Sequence, residues 1–265
     1  SLFRNPLASP SILGTTAGAS FGGQLTLLAL GLVPATRHLG FLAPELVVPA
    51  GCLVGALLAL AIVLAFARSG GGPLPLLLVG FVLSSLFLSL GAFVTSLAQE
   101  SWDVGRAVVA FTLGGVGGVG HRQLWVATPL IAAGLAATWF WSRSLDVLLS
   151  GEEEAATLGV DVGLVRTLLI VWVATLTAAA VSLGGNVGFV GLVVPHALRP
   201  HVGVSHRRLL PACALGGGAF CVLCEVVGRA FPTRSEIPLG VVTGLVGAPV
   251  FLWLFVRSAR EVRHG

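Results

Sequence analysis

Long apolar runs separated by isolated ionisable residues set the pattern of this chain. Residues 5–36 lie between Arg4 and Arg37, 46–67 between Glu45 and Arg68, and 69–99 between Arg68 and Glu100. Further on, 123–142, 167–195, 209–224 and 237–256 are bounded by charged residues or a histidine in the same way. Each run is read as one crossing, because an apolar helix of about 20 residues spans a bilayer. The 167–195 run is longer than one helix needs and is broken by Gly184, Gly185, Asn186 and Gly188, which predicts an eighth, shorter segment over 187–199. Residues 104–118 are apolar but too short and glycine-rich to cross. They predict a re-entrant or interfacial helix, tolerated only where protein or a water-filled cavity covers its backbone. The expected fold is an all-α membrane protein, a polytopic bundle of about eight transmembrane helices plus that short helix, in one domain over 1–265.

Composition agrees, with 55% hydrophobic residues, 10% charged and a mean hydropathy of +0.97. Every basic residue is Arg. Without lysine the chain holds no Walker A phosphate loop, whose ammonium must reach the terminal phosphates, so ATP chemistry belongs to another chain. The arginines are scattered between apolar runs, not gathered on one face, which speaks against nucleic acid. With both termini inside, ten arginines fall on the cytoplasmic side and five (Arg37, Arg106, Arg122, Arg229, Arg234) outside, the bias that short loops show. The carboxy terminus is therefore expected in the cytoplasm.

Several tempting motifs have plainer readings. Gly115-Val116-Gly117-Gly118-Val119-Gly120 has dinucleotide-loop spacing, but no βαβ unit surrounds it. His196 and His201 lack the further ligands of a metal site, and Cys221 and Cys224 sit within an apolar helix, so no metal is expected. Glu225 precedes Arg229 by four residues, the spacing of a helical ion pair. Ser84, Ser85 and Ser182 have no histidine nearby in sequence to activate them as nucleophiles. A secondary transporter would carry ionisable groups at mid-membrane, and Glu225 alone comes near that role.

The longest polar interruption, Arg143 to Arg166, is the most informative stretch. Glu152, Glu153 and Glu154 follow Gly151 at the first turn of a short helix, where carboxylates complement the dipole, and Gly159 stands where that helix should end. An acidic knuckle on the inner face, Gly151, Glu152, Glu153, Glu154, Ala155, Ala156, Leu158 and Gly159, reads either as a docking element for a soluble partner or as a solvated loop.

Five stretches carry a resemblance. They are Asn5-Pro6-Leu7-Ala8 with Ile12-Leu13-Gly14 and Gly18-Ala19; Gly151-Glu152 with Ala155-Ala156 and Leu158-Gly159; Gly188-Phe189-Val190-Gly191-Leu192 with Pro195-His196 and Arg199; His206-Arg207 with Leu209-Leu210-Pro211; and Glu236-Ile237-Pro238 with Gly240 and Gly247-Ala248-Pro249. In this order they resemble the FecCD-type permeases of bacterial ABC importers for iron-siderophore, haem or cobalamin. The resemblance implies a ten-helix subunit of the bacterial inner membrane, acting as a dimer with a second copy or paralogue. Partner ABC ATPase subunits would hold ATP and Mg, and a periplasmic or lipid-anchored solute-binding protein would deliver the cargo. The permease itself would bind no cofactor and catalyse no reaction. It places the coupling to the ATPase at 151–159, and two family helices ahead of Asn5 are expected to be missing. Arg37, Arg229 and Arg234, outward in this topology, are candidates for docking the binding protein. An iron-siderophore complex is the first expected cargo, with cobalamin and haem as alternatives.

Overall fold

The computed structural model describes residues 14–32, 44–68, 73–231 and 237–264, and all of its regular elements there are helices. In chain order they are α1 (Thr15–Leu32), α2 (Pro44–Arg68), α3 (Pro73–Ala98), α4 (Trp102–Leu113), α5 (His121–Phe140) and α6 (Ser142–Ser150). Then follow α7 (Glu152–Thr157), α8 (Val162–Gly184), α9 (Val190–Val202), α10 (His206–Ala230) and α11 (Leu239–His264). The chain forms two compact units, residues 1–186 and 187–265.

Among the described residues, α2, α3, α5, α8 and α10 are long and apolar enough to cross a membrane. α1 has 18 residues, and a shorter apolar stretch, Leu239–Trp253, forms the first part of α11. The break predicted near 184–188 is present: α8 stops at Gly184 and α9 starts at Val190. With 13 residues α9 is about 20 Å long. It is the shorter segment expected, and falls short of the ~30 Å hydrocarbon core. The short helix expected over 104–118 is α4, which begins at Trp102 and ends at Leu113, so residues 114–118 are not helical.

In the first unit α1 is the central element, packed on α2, α3, α4 and α8. Its contact with α2 is centred on glycine, with Ala19, Cys52 and Ala56 packed beside it. A Cβ added to Gly18 or Gly55 would meet the other's carbonyl oxygen at under 3.0 Å, and the same holds for Gly22 and Gly51. Two stacked Gly-x-x-x-Gly pairs therefore let the backbones touch, which substitutes packing for the hydrophobic drive that lipid removes. One large polar side chain is enclosed alongside: Gln24 is 3% exposed. Its amide donates to Thr112 Oγ1 of α4 at 2.9 Å, while its buried Oε1 has no partner. Gly91 of α3 leaves room for that oxygen, since a Cβ there would strike it. Outward faces stay apolar, as with Leu78, Phe81, Leu86 and Phe93 on α3, the composition that a hydrocarbon solvent requires.

In the second unit α9, α10 and α11 pack on one another. Phe189, the residue before α9, has φ 66° and ψ −22°. Such a left-handed conformation costs an aromatic residue about 1–3 kcal/mol. It is held because the Phe189 side chain occupies the space a Cβ on Gly247 of α11 would need, and its carbonyl accepts from Val193 N at 2.9 Å. Two of the five stretches that carry the resemblance thus meet here.

Candidate functional site: the acidic knuckle and the glycine clasp

The polar interruption from Arg143 to Arg166 is not a loop. It folds as α6, α7 and the first turn of α8 around a small apolar core of its own. Leu145 and Leu148, three residues apart, share the inner face of α6 and meet Ala155 of α7 with Val165 and Leu169 of α8. Ala155 is fully enclosed, so α7 is pinned by one methyl group. Gly151, at φ 144°, makes the turn between α6 and α7. Gly159, at φ 81°, ends α7: Val160 N bonds to Ala155 O at 3.0 Å and Gly159 N to Ala156 O at 3.0 Å. This paired closure of a helix end needs a left-handed residue, and glycine adopts it without a Cβ penalty. Asp161 then caps α8, its Oδ1 accepting from Leu164 N at 3.0 Å.

With Ala155 inward, the other described side chains of α7 face out. Glu153, Glu154, Ala156 and Thr157 are exposed, and Leu158 is 70% exposed at the tip. The Glu152 side chain lies outside the described residues. The knuckle therefore offers an isolated apolar side chain beside carboxylates on a backbone that cannot swing freely. A fixed anchor with a charged rim is the usual make-up of a docking element, in which buried apolar groups supply affinity and charges supply orientation.

α8 runs about 34 Å from the knuckle to its other end. There the end of α4 is fastened to it by main-chain hydrogen bonds, with Phe111 also packed against the cluster that contains Ala174, Ala178 and Val181 of α8. Gly115 N bonds to Gly184 O at 2.8 Å, and Asn186 N reaches Phe111 O at 3.4 Å. A Cβ on Gly185 would strike the Phe111 carbonyl, and one on Gly114 would lie 2.8 Å from the Asn186 carbonyl oxygen. This clasp gives the Phe111 carbonyl and the Gly115 amide main-chain partners at the end of α8.

The remaining candidates separate. Arg229 is on α10, and its Nε donates to Glu225 Oε1 at 3.0 Å, with Nη2 also at 3.0 Å. The ion pair read from spacing is thus formed, although Arg229 remains 53% exposed. Arg37 and Arg234 lie outside the described residues, as do Asn5-Pro6-Leu7-Ala8 and Glu236. Ser84, Ser85 and Ser182 donate to Gly80, Phe81 and Ala179 carbonyls of their own helices at 2.8, 3.0 and 2.9 Å. His196 rests edge-on to Phe251, ring centroids 6.4 Å apart, and His201 Nδ1 lies 3.2 Å from the Ala197 carbonyl. Sequence reasoning passed over Gln24 and Thr112. The available signal was that Gln24 is the one amide side chain in the first helix, whose other polar residues are the hydroxyls Thr15, Thr16, Ser20 and Thr26.

Comparison with known proteins agrees with this architecture. The cobalamin import system permease protein BtuC of Halobacterium salinarum is 41% identical over 263 residues, covering 98% of this chain and 66% of that protein. The vitamin B12 import system permease protein BtuC of Citrobacter koseri is 37% identical, covering 98% of this chain and 75% of its own length. The hemin transport system permease protein HmuU of Yersinia pestis is 37% identical, covering 100% and 77%. The chain thus spans about two thirds to three quarters of the length of these relatives. A solved structure assigned to a metal-chelate type ABC transporter in an inward-facing conformation superposes with a TM-score of 0.80 at 30% identity, over 97% of this chain and 78% of that one. The family model described as the FecCD transport family matches residues 1–257, and the chain belongs to that family of membrane permeases.

Proposed function

We propose that this chain is the membrane subunit of an ATP-driven importer for a bulky metal chelate, with cobalamin the first cargo to test and hemin the second. The observation that carries the coupling part of this reading is the knuckle, where Leu158, Glu153 and Glu154 are presented on a helix anchored by Ala155. A pair of ABC ATPase subunits would seat there, from the cytoplasm. A solute-binding protein would dock at the clasp side, and a second permease copy would complete the path. In place of the iron-siderophore cargo expected from sequence, the names of the relatives favour a corrin or a porphyrin. Such a cargo is too large for a narrow filter. It needs a cavity between bundles, open to one side at a time, and the ATPase drives the switch by binding ATP more tightly in one state. The permease supplies shape and a mechanical link, and hydrolysis stays with the partner.

The test uses the full-length transporter with its own ATPase. Glu153→Arg/Glu154→Arg should reduce ATPase co-purification and cobalamin uptake in proteoliposomes at least about tenfold, as reversed rim charges juxtapose like signs, with an unchanged thermal midpoint. Retention of both ATPase and uptake in the double variant would refute coupling through this knuckle. Uptake of hemin but not cobalamin would move the cargo to the second reading.

A further inference from the structure

We propose that Gln24 of α1 is the positioning residue for α4: acting through Thr112, its amide selects the one placement of α4 that aligns its last turn with the clasp. α4 rests on α1 and α3 through two kinds of contact. The first is apolar. Val108 is fully buried among Leu28 of α1 with Val94 and Ala98 of α3. Val104 and Phe111 fill notches, since a Cβ on Gly31 would strike Val104 and one on Gly23 would strike Phe111. Such contacts are individually weak and respond to a small shift of the helix only by degrees. The second kind is directional, the bond from Gln24 Nε2 to Thr112 Oγ1 at 2.9 Å.

The amide is held at one end and left without a donor at the other. Nε2 also faces Ser20 Oγ, one turn back on α1, at 3.5 Å. The Thr112 hydroxyl donates to the Val108 carbonyl at 2.7 Å, so toward Gln24 it acts as acceptor, and Oε1 is turned to Gly91 of α3. There Oε1 finds no donor among the described residues. A buried acceptor in this condition lowers stability, and turning the amide over would leave its nitrogen in the same position. Stability alone therefore favours an apolar side chain here. A single buried polar residue that lowers stability while selecting one helix register is the best-attested use of such a group. Any placement of α4 that moves Thr112 away would leave both ends of the amide without a close partner. The placement it keeps is the one in which Phe111, beside Thr112, gives its carbonyl to Asn186 N, and Gly115 N reaches Gly184 O. All of these groups belong to the first unit, and the assignment holds for any cargo and any ATPase docking site.

The experiment is hydrogen exchange of the full-length transporter in nanodiscs, read at the Gly115 and Asn186 amides, together with the thermal midpoint. Gln24→Met keeps the length of the side chain and removes its hydrogen bonds, while Thr112 keeps its own bond to Val108. The midpoint should stay the same or rise. Exchange at the two amides should nevertheless quicken at least about tenfold, because shifted placements of α4 no longer strand a buried amide. Gly91→Ala, on a different helix, puts a Cβ where Oε1 lies and should quicken the same two amides. Thr112→Val should lower the midpoint, and Gln24→Met/Thr112→Val should restore it, since a buried pair replaced on both sides leaves nothing unsatisfied. Unchanged exchange at Gly115 and Asn186 in Gln24→Met would show that packing alone places α4 and would overturn the proposal. A lowered midpoint with exchange raised throughout the first unit would also overturn it, by reducing Gln24 to a stabilising contact.

Discussion

The two ends of α8 are fastened by different means. At the knuckle, side chains do the holding: Leu145, Leu148, Ala155, Val165 and Leu169 pack as a small core. At the clasp, main chain meets main chain, through Gly115 to Gly184 and Asn186 to Phe111. Apolar side-chain packing tolerates small displacement and leaves the outer face of α7 free to vary. At Gly114 and Gly185 the backbones approach too closely to admit a side chain. The contrast teaches that the knuckle leaves its outer face open to substitution, whereas at the clasp Gly185 admits no side chain.

Substitutions can break or sharpen that contrast. The largest effect is expected for Gly185→Ala, which combines a left-handed φ of 64° with a Cβ against the Phe111 carbonyl. With ψ −149° this is a conformation almost confined to glycine; strain of about 1–3 kcal/mol and overpacking of about 1–3 kcal/mol should together lower the midpoint of thermal denaturation in detergent well below that of the parent. Next is Ala155→Leu, which overfills the knuckle core; a loss of about 1–3 kcal/mol should appear with weakened ATPase binding. Gly159→Ala is the informative partner of Gly185→Ala, because its φ of 81° is similar but a Cβ there meets nothing within 4 Å. It should cost only the conformational part, about 1–2 kcal/mol; a cost equal to that of Gly185→Ala would erase the distinction between the two ends. Leu158→Ser should leave stability within about 0.5 kcal/mol, and its effect should be confined to ATPase affinity, measured as the concentration needed for half-maximal co-assembly.

Much of the fold was legible because ionisable residues are too costly to leave between spans without purpose, so Arg68, Glu100, Arg143 and Arg166 mark helix ends. The break after Gly184 and the ion pair of Glu225 with Arg229 were readable from local spacing alone. What escaped was pairing between distant segments. Small residues at 18, 22, 51 and 55 are visible in the sequence, but nothing local says that Gly18 faces Gly55 and not another of the 36 glycines. The partnership of Gln24 with Thr112, 88 residues away, is hidden for the same reason. α6 stays hidden inside the polar interruption because its nine residues mix Arg143 and Asp146 with leucines. Its helical character depends on the surface that Ala155 and Val165 offer to Leu145 and Leu148. At the knuckle, spacing identified the acids and the terminating glycine, while the outward display of Leu158 emerged only from the packing of its neighbours.

The crossing of α1 and α2 sets a rule for how this molecule moves. Each glycine there sits against a carbonyl of the other helix, with only short side chains such as Thr26 and Ala59 beside them. Sliding one helix along the other would drive main-chain atoms into one another, so the pair behaves mechanically as a single welded strut, and whatever motion transport demands must be taken up at seams where larger side chains interdigitate.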